Sequence, residues 1–313
     1  MLDIKDNFSL KELTTLGIGG PAKKFVEVKT IEELKEALEY ANKENLQFLI
    51  IGGGSNLLVS DEGYPGLVIK NSITGITRDG NNLTVLSGTV LQELVNFTIR
   101  EGLGGLNKMT GIPGTVGGAV YGDAGAYGHS IRDFLTSVKA LDPKTLEEKT
   151  LTKEECGFGY RDSNFKTNGL IILEVLFTGV PNARPQTLQE DSSEILQKRQ
   201  EKYPPNTKCP GSFFKNVITE DLDPETLKKV ESYTTQFGKV PAGALIDAVG
   251  GKGDTEGNVK IAENHGNTFI NTGNASAEEF YNMVKKYYEK VKAEFGIELE
   301  SEVQLINLPP INT

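Results

Sequence analysis

The glycines between Gly102 and Gly128 constrain this chain more than any other feature. The core G-I-P-G-T-V-G-G-A (Gly111 to Ala119) runs into a second cluster, Y-G-D-A-G-A-Y-G, so that positions 111, 114, 117, 118, 122, 125 and 128 are all glycine. Each glycine loses more backbone entropy on folding than any other residue, so this density does not serve the stability of a helix or strand. Removing side chains lets another group approach the backbone, and successive N–H groups can then cradle an anion such as a pyrophosphate. A nucleotide cofactor is the candidate ligand. Tight turns between strands are the competing reading of the stretch taken alone.

A second glycine loop supports the ligand reading. The apolar run Q-F-L-I-I (Gln47 to Ile51) leads straight into G-G-G-S-N (Gly52 to Asn56). This is no Rossmann fingerprint, because L-L-V-S-D-E-G-Y-P-G-L-V-I-K reads as strand, turn and strand, with no helix aimed at a ligand. The Walker A lysine is missing too. Before the loop, Thr30 and Glu33 read as a capping box, and Ile31, Leu34, Leu38 and Ala41 recur at helical spacing. After it, L-Q-E-L-V-N-F-T-I-R-E reads as a helix closed by Gly102. Strands are expected from Ser137 to Asp142, over E-E-K-T-L-T and from Leu170 to Phe177.

Composition shifts at V-P-N-A-R-P (Val180 to Pro185), and a charged helix follows, ending at K-Y. We therefore expect three regions, 1–71, 72–180 and 186–307. In the last, P-A-G-A-L-I-D-A-V-G-G-K-G reads as a short helix with a glycine exit. A long amphipathic helix carries Phe280, Val284, Tyr287, Tyr288 and Val291 on its apolar stripe, and this stripe is core. The end, I-E-L-E-S-E-V-Q-L-I, reads as an alternating strand with Glu298, Glu300 and Glu302 on one face.

The balance of charge narrows the partners. A net charge of −10 and a pI near 5.0 argue against nucleic acid, which needs a basic surface. Cys156 and Cys209 are too few for a disulfide framework, and His129 and His265, the two histidines, lie in no metal-ligand pattern. The start, M-L-D-I-K-D-N-F, has no apolar h-region, and no apolar run approaches the roughly 20 residues of a membrane span. A cytoplasmic protein, monomeric and without membrane or nucleic-acid partners, is the expectation.

The ordered set G-G-G-S-N, G-I-P-G-T-V-G-G-A, A-G-A-Y-G, G-Y-R-D-S-N-F-K, G-S-F-F-K-N, A-G-A-L-I-D and E-S-E-V-Q-L-I resembles the UDP-N-acetylenolpyruvoylglucosamine reductase (MurB) family over nearly the whole chain. No single motif is specific, but the glycine core, G-Y-R and G-S-F-F-K-N together are. The resemblance implies an α+β chain: a two-subdomain FAD-binding fold of the vanillyl-alcohol-oxidase (PCMH) type, with a C-terminal α+β domain that closes over a UDP-sugar. Lacking a tyrosine-bearing insertion between Arg161 and Ser212, the chain is similar to the shorter, type II members. The implied reaction passes hydride from NADPH to FAD and then to the enolpyruvyl C=C of a UDP-N-acetylglucosamine ether, in peptidoglycan precursor synthesis.

The same resemblance implies the site residues. Arg161 would hold the substrate carboxylate, Ser212 would protonate carbon, and Glu302 would help polarise the enolate, in its acid form if burial keeps it so. The FAD contacts implied are Gly52, Gly53, Gly54, Ser55, Asn56, Gly111, Pro113, Gly114, Thr115, Gly117, Gly118, Ala124 and Gly125. Lys215, Asn216 and Tyr127 are implied for substrate, with Lys215 also a neighbour for the serine. No metal is expected. The chain departs from the family pattern at Gly122, Asp123, Cys209, Val217 and Gln304, and it has Thr115 where serine is common. Asp123 adds a negative charge near the expected diphosphate. Read without the resemblance, each of Arg161, Ser212 and Glu302 is a surface residue first. Rival readings are an FAD-dependent sugar or alcohol oxidase, a Ser212–Lys215 acyl-transfer pair lacking its K-T-G partner, and a flavin- or nucleotide-sugar-binding protein without turnover.

Overall fold

A computed structural model describes residues 2–312. The chain folds into two compact units, one of residues 2–8, 23–53 and 65–201, the other of 9–22, 54–64 and 202–312.

The first unit holds two sheets. One has the order Lys5–Ser9, Pro21–Val28, Tyr64–Asn71, Phe48–Ile51, with its last two strands parallel and Phe48 opposite Leu67. Helix α1 (Ile31–Lys43) covers it with Leu34, Ala37, Leu38 and Ala41, all buried. Thr30 caps α1 by accepting the Glu33 N–H at 3.1 Å. The Glu33 carboxylate takes the N–H of Lys29 at 2.6 Å, one residue before the cap, so the expected box is only half reciprocal. The other sheet is antiparallel, in the order Glu148–Thr152, Ser137–Leu141, Ile171–Phe177, Asn82–Leu86, Ile76–Asp79. Against it pack α2 (Leu91–Arg100), which ends at Glu101 with Gly102 just beyond at φ +67°, and the short α3 (Val116–Tyr121).

Helix α4 (Pro185–Lys202) closes this unit, so the expected break at 186 moves to its far end. Its contacts explain why. Leu188 and Ser192 are buried, Ser192 Oγ lies 2.8 Å from Thr110 Oγ1, and Arg199 Nε donates to the Gly111 carbonyl at 2.9 Å. A helix bound to the glycine-rich segment cannot begin the next unit.

The second unit is built around α7 (Ala277–Phe295), which buries Phe280, Val284, Tyr287, Tyr288 and Val291 as its periodicity requires. A full capping box of Ser276 and Glu279 starts α7, and Gly296 at φ +74° ends it. Helices α5 (Pro224–Val230) and α6 (Ala242–Ala248) lie in the same unit. So does the antiparallel sheet Thr255–Glu256, Val259–Ile261, Phe269–Asn271. Two early segments complete the core. Leu16, Ile18 and Leu58 are buried among Phe213, Phe214, Phe280 and Val303, and Leu57–Val59 pairs in parallel with Gln304–Ile306. The regions 1–71 and 186–307 therefore do not separate as a linear division expects.

The terminal strand is shorter than its alternation predicts. Ile297, Leu299 and Val303 are buried and Glu298 and Glu300 exposed, yet only Gln304–Ile306 forms a named strand.

Candidate active site

In the first unit the two glycine loops press backbone against backbone. A Cβ on Gly52 would lie 2.5 Å from Thr115 Oγ1, and one on Gly53 would lie 2.6 Å from the Gly114 Cα. On Gly117 it would lie 2.8 Å from Ser87 Cβ. These glycines are required by the protein itself. Gly118 is different: it is exposed, its φ is ordinary for a helix, and an added Cβ would meet only Thr115 Oγ1, at an ordinary 3.4 Å. A mid-helix glycine costs about 1 kcal/mol against alanine. Among the described residues no neighbour crowds this position, which leaves room for a bound group beside it. Thr115 caps α3, its Oγ1 accepting the Gly118 N–H at 3.2 Å. Ala124 and Gly125 follow in a tight hairpin whose Gly125–Ala126 pairs with His129–Ser130. Pro113 is exposed beside Gly114.

The hairpin also fixes Arg161. Its Nη1 donates to the Asp123 carbonyl at 3.0 Å and its Nη2 donates to the Gly125 carbonyl. The ring of Tyr160 lies 5.3 Å from its Cζ, and Lys166 Nζ donates to its carbonyl at 2.7 Å. Arg161, Asp123 and Tyr127 all have positive φ, at 56°, 42° and 52°. Such conformations cost on the order of 1–3 kcal/mol each and persist where the surroundings over-determine them. Tyr127 is 54% exposed and lines a surface depression with Lys108, His129, Asp191 and Lys198.

Asp123 is the unusual group here. Only 1% exposed, its carboxylate lies 3.4 Å from Arg132 Nε, and neither oxygen accepts a hydrogen bond of ordinary geometry. Burial raises its pKa, against the lowering effect of the Arg132 charge.

In the second unit the backbone segments that carry Ser212 and Glu302 are hydrogen-bonded to each other. Gly211, at φ +88°, turns the chain into Ser212, and Phe213 and Phe214 follow, both buried. Each buried phenylalanine contributes roughly 1.5–3 kcal/mol, which anchors the serine. Asn267, 1% exposed, clamps the segment through its Oδ1, which accepts the Phe214 N–H at 2.9 Å, and its Nδ2, which donates to the Phe214 carbonyl at 2.7 Å. The Glu302 N–H donates to the Phe213 carbonyl at 2.8 Å. The Glu302 segment is thus bonded to the residue that follows Ser212. Asn56 uses its amide on the same strand, donating to the Glu302 carbonyl at 2.9 Å, and its own carbonyl accepts the Gln304 N–H at 3.0 Å. Gly54 and Ser55 precede it, Gly54 at φ +63° where a Cβ would lie 1.7 Å from the Leu13 carbonyl oxygen. The Gly54 carbonyl accepts the Thr15 N–H at 3.1 Å.

Lys215 and Asn216 are engaged within the unit. Lys215 Nζ lies 2.6 Å from Glu300 Oε1, and Asn216 Oδ1 accepts the Ala242 N–H of α6 at 3.2 Å. Two residues here escaped the sequence reading, Asn267 and Tyr203. Tyr203 Oη lies 2.9 Å from Ser212 Oγ. The sole hint was an aromatic ahead of two prolines near the serine; Asn267 gave none, being 53 residues from its partner. Both cysteines are buried and free, and burial pushes the Cys156 thiol up to about 11. Among the described residues no group of three His, Cys, Asp or Glu could hold a metal, and no helix is long and apolar enough to cross a membrane.

Known proteins resemble this chain over nearly its whole length. Residues 22–146 match the FAD binding domain family, and 203–306 match the C-terminal domain of UDP-N-acetylenolpyruvoylglucosamine reductase. The UDP-N-acetylenolpyruvoylglucosamine reductase of Solibacter usitatus is 36% identical over 305 residues, covering 97% of this chain and 97% of that protein. That of Flavobacterium johnsoniae is 36% identical over 341 residues, covering 97% and 100%. The crystal structure of the Thermus caldophilus enzyme superposes with a TM-score of 0.76 at 32% identity, covering 98% of this chain and 99% of that one. An FAD-binding domain followed by this C-terminal domain defines a flavin-dependent oxidoreductase with a PCMH-type fold. The chain belongs to the UDP-N-acetylenolpyruvoylglucosamine reductase (MurB) family.

FAD fits the residues present. The loops that meet at Gly52, Gly53, Gly114 and Thr115 bare their backbone, and Gly118 leaves the room that a bound group needs.

Proposed function

We propose that this chain uses NADPH and FAD to reduce the enolpyruvyl C=C of UDP-N-acetylglucosamine enolpyruvate, giving UDP-N-acetylmuramate for peptidoglycan synthesis. The observation that carries the reading is the hydrogen bond of the Glu302 N–H to the Phe213 carbonyl, which joins the Glu302 segment to the residue after Ser212 in a chain of this family. Bound FAD supplies the two-electron step between NADPH and the alkene. The residues handle charge and protons. Addition to one vinyl carbon leaves negative charge on its neighbour, delocalised into the carboxylate. Arg161, its fork oriented by the Asp123 and Gly125 carbonyls, offers that carboxylate a permanent positive charge. Ser212 delivers the proton to carbon, and Glu302 polarises the same enolate. Gly52 to Asn56, with Gly111, Pro113, Gly114, Thr115, Gly117, Gly118, Ala124 and Gly125, bind FAD, and Lys215, Asn216 and Tyr127 contact the UDP-sugar.

Anaerobic stopped-flow absorbance with Ser212→Ala tests this. NADPH should bleach the flavin at a rate within about twofold of wild type, while recovery of colour on adding the enolpyruvyl UDP-sugar should slow by about 10²–10⁴, the usual range for a general acid. Equal loss, or equal retention, of both halves would remove Ser212 from its role. Recovery only with oxygen, in wild type, would favour an oxidase. A cytoplasmic monomer without nucleic-acid partners is also proposed. The net charge of −10 supports the last point, and light scattering of the eluted protein tests the monomer.

A further inference from the structure

Ser212 is an aliphatic alcohol asked to protonate carbon, and alone it is a poor acid. Its hydroxyl is not alone. Tyr203 Oη lies 2.9 Å from Ser212 Oγ, nine residues earlier in the chain and within the same unit. Tyr203 follows the last residue of α4 and precedes Pro204, which disfavours helical backbone at the tyrosine. Its half-buried ring is held on two sides. The His265 ring lies 6.1 Å away, centroid to centroid, and the Lys202 ammonium lies 5.2 Å from the tyrosine centroid. His265 is fixed in turn, Nδ1 lying 3.0 Å from Thr268 Oγ1.

We propose that Tyr203 is a positioning residue for the protonation step, acting through Ser212. A phenol is a far stronger acid than an alcohol, so in this pair Tyr203 O–H donates and Ser212 Oγ accepts. Two consequences follow from that polarity. The serine's own hydrogen is turned away from Tyr203 and is available to the substrate carbon. When the Ser212 O–H bond breaks and the C–H bond forms, the alkoxide left behind already holds a hydrogen bond, and it is later reprotonated by water. Hydrogen bonds to a charged oxygen are about twice as strong as neutral ones, so the contact stabilises the transition state more than the ground state. The inference rests on Ser212 being the proton donor, and the experiment separates the two claims.

Single-turnover oxidation of the NADPH-reduced holoenzyme by the enolpyruvyl UDP-sugar is followed for wild type, Tyr203→Phe, Tyr203→Gln, Ser212→Ala and the Tyr203→Phe/Ser212→Ala double variant. Bound-flavin spectra and Tm check that each is folded. Tyr203→Phe, which removes one oxygen, should slow the step about 10- to 100-fold at saturating substrate, with KM changed less than about twofold. Tyr203→Gln, which returns a neutral donor, should recover most of the rate. On the Ser212→Ala background Tyr203→Phe should add nothing, because the pair acts as a unit. A Ser212→Ala rate equal to wild type would sink the Ser212 assignment itself. Slow Ser212→Ala with an unaffected Tyr203→Phe would overturn only the tyrosine's role. So would an undiminished effect of Tyr203→Phe in the double variant, or a Tyr203→Gln rate no better than that of Tyr203→Phe.

Discussion

Asp123 carries a charge that its surroundings hardly compensate. Its backbone is useful, since the Asp123 carbonyl holds Arg161, but its carboxylate is buried, and the nearby Arg132 and Arg161 charges and Ser130 hydroxyl do not offset that burial. Burial raises the folded-state pKa above the ordinary 3.8. The native state therefore binds this proton more tightly than the unfolded state. Below about pH 3.8 both states are protonated and nothing is lost; as pH rises through the raised folded value, stability falls, and the full loss is present above it. Asp123→Asn keeps the shape, the carbonyl and the left-handed preference, and removes the charge. We expect this variant to be more stable than wild type by about 2–4 °C in Tm near pH 8, with the difference shrinking toward about pH 4.5. Melting curves of the flavin-bound proteins at both pH values check it. A difference independent of pH would mean that ionisation of Asp123 is not the cause. Sequence reading singled out Asp123 as a departure near the glycine loops but could not see its burial, which depends on contacts made by Arg132 and Ser130.

At the scale of elements, α3 places the same question on the backbone. Six residues long and containing Gly117 and Gly118, it is a poor helix by propensity, and only Gly117 is required by a neighbour within the chain. Gly118→Ala should raise the Tm of the flavin-free protein by about 2 °C, from about 1 kcal/mol of helix propensity, while weakening FAD binding at least about tenfold. Titration of apoprotein by flavin fluorescence reads the second effect; unchanged affinity would mean that Gly118 faces no cofactor. Elements with strong period were legible in the sequence: α1, α2 and α7, and the strand Ile171–Phe177 with its apolar run. The run 297–303 was legible only in part. Alternation reports which side is buried, and here it does so correctly at Ile297, Leu299 and Val303. It does not report a pairing partner, and this run pairs with residues 213–215 through a short bridge of Ser301 with Phe214, the Lys215 N–H on the Glu300 carbonyl and the Glu302 N–H on the Phe213 carbonyl. Motif order singles out Ser212 and Glu302 but not Asn267 or Tyr203, because a lone amide or phenol acquires meaning only from what the fold sets beside it.

For the whole molecule, linear reading failed where the chain returns. It passes between its two units five times, and segments 9–22 and 54–64 belong with residues beyond 202. No composition shift marks those passages, since each segment is short and its apolar residues look like ordinary loop anchors. Their contacts are not ordinary. Leu16, Ile18 and Leu58 lie in the second unit's core, exposed 0%, 2% and 0%. Leu57–Val59 is the partner of Gln304–Ile306, and Asn56 holds the Glu302 carbonyl. Asp61 caps α7, its two carboxylate oxygens accepting the Ala277 and Glu278 N–H groups at 2.9 and 3.2 Å. A polypeptide of residues 202–312 would keep α7 and the serine but lose all of these. Emptying three fully buried aliphatic sites costs about 2–5 kcal/mol each, which together matches or exceeds the total stability of about 5–15 kcal/mol usual for a domain. That fragment should therefore retain some helical circular dichroism and show no cooperative thermal transition, whereas the full chain melts cooperatively. A sharp transition in the fragment would mean that the early segments decorate the second unit without completing its core. The same loss would free Gln304–Ile306 from Leu57–Val59 and the Glu302 carbonyl from Asn56, so the segment that carries Glu302 depends on a residue encoded 246 positions before it.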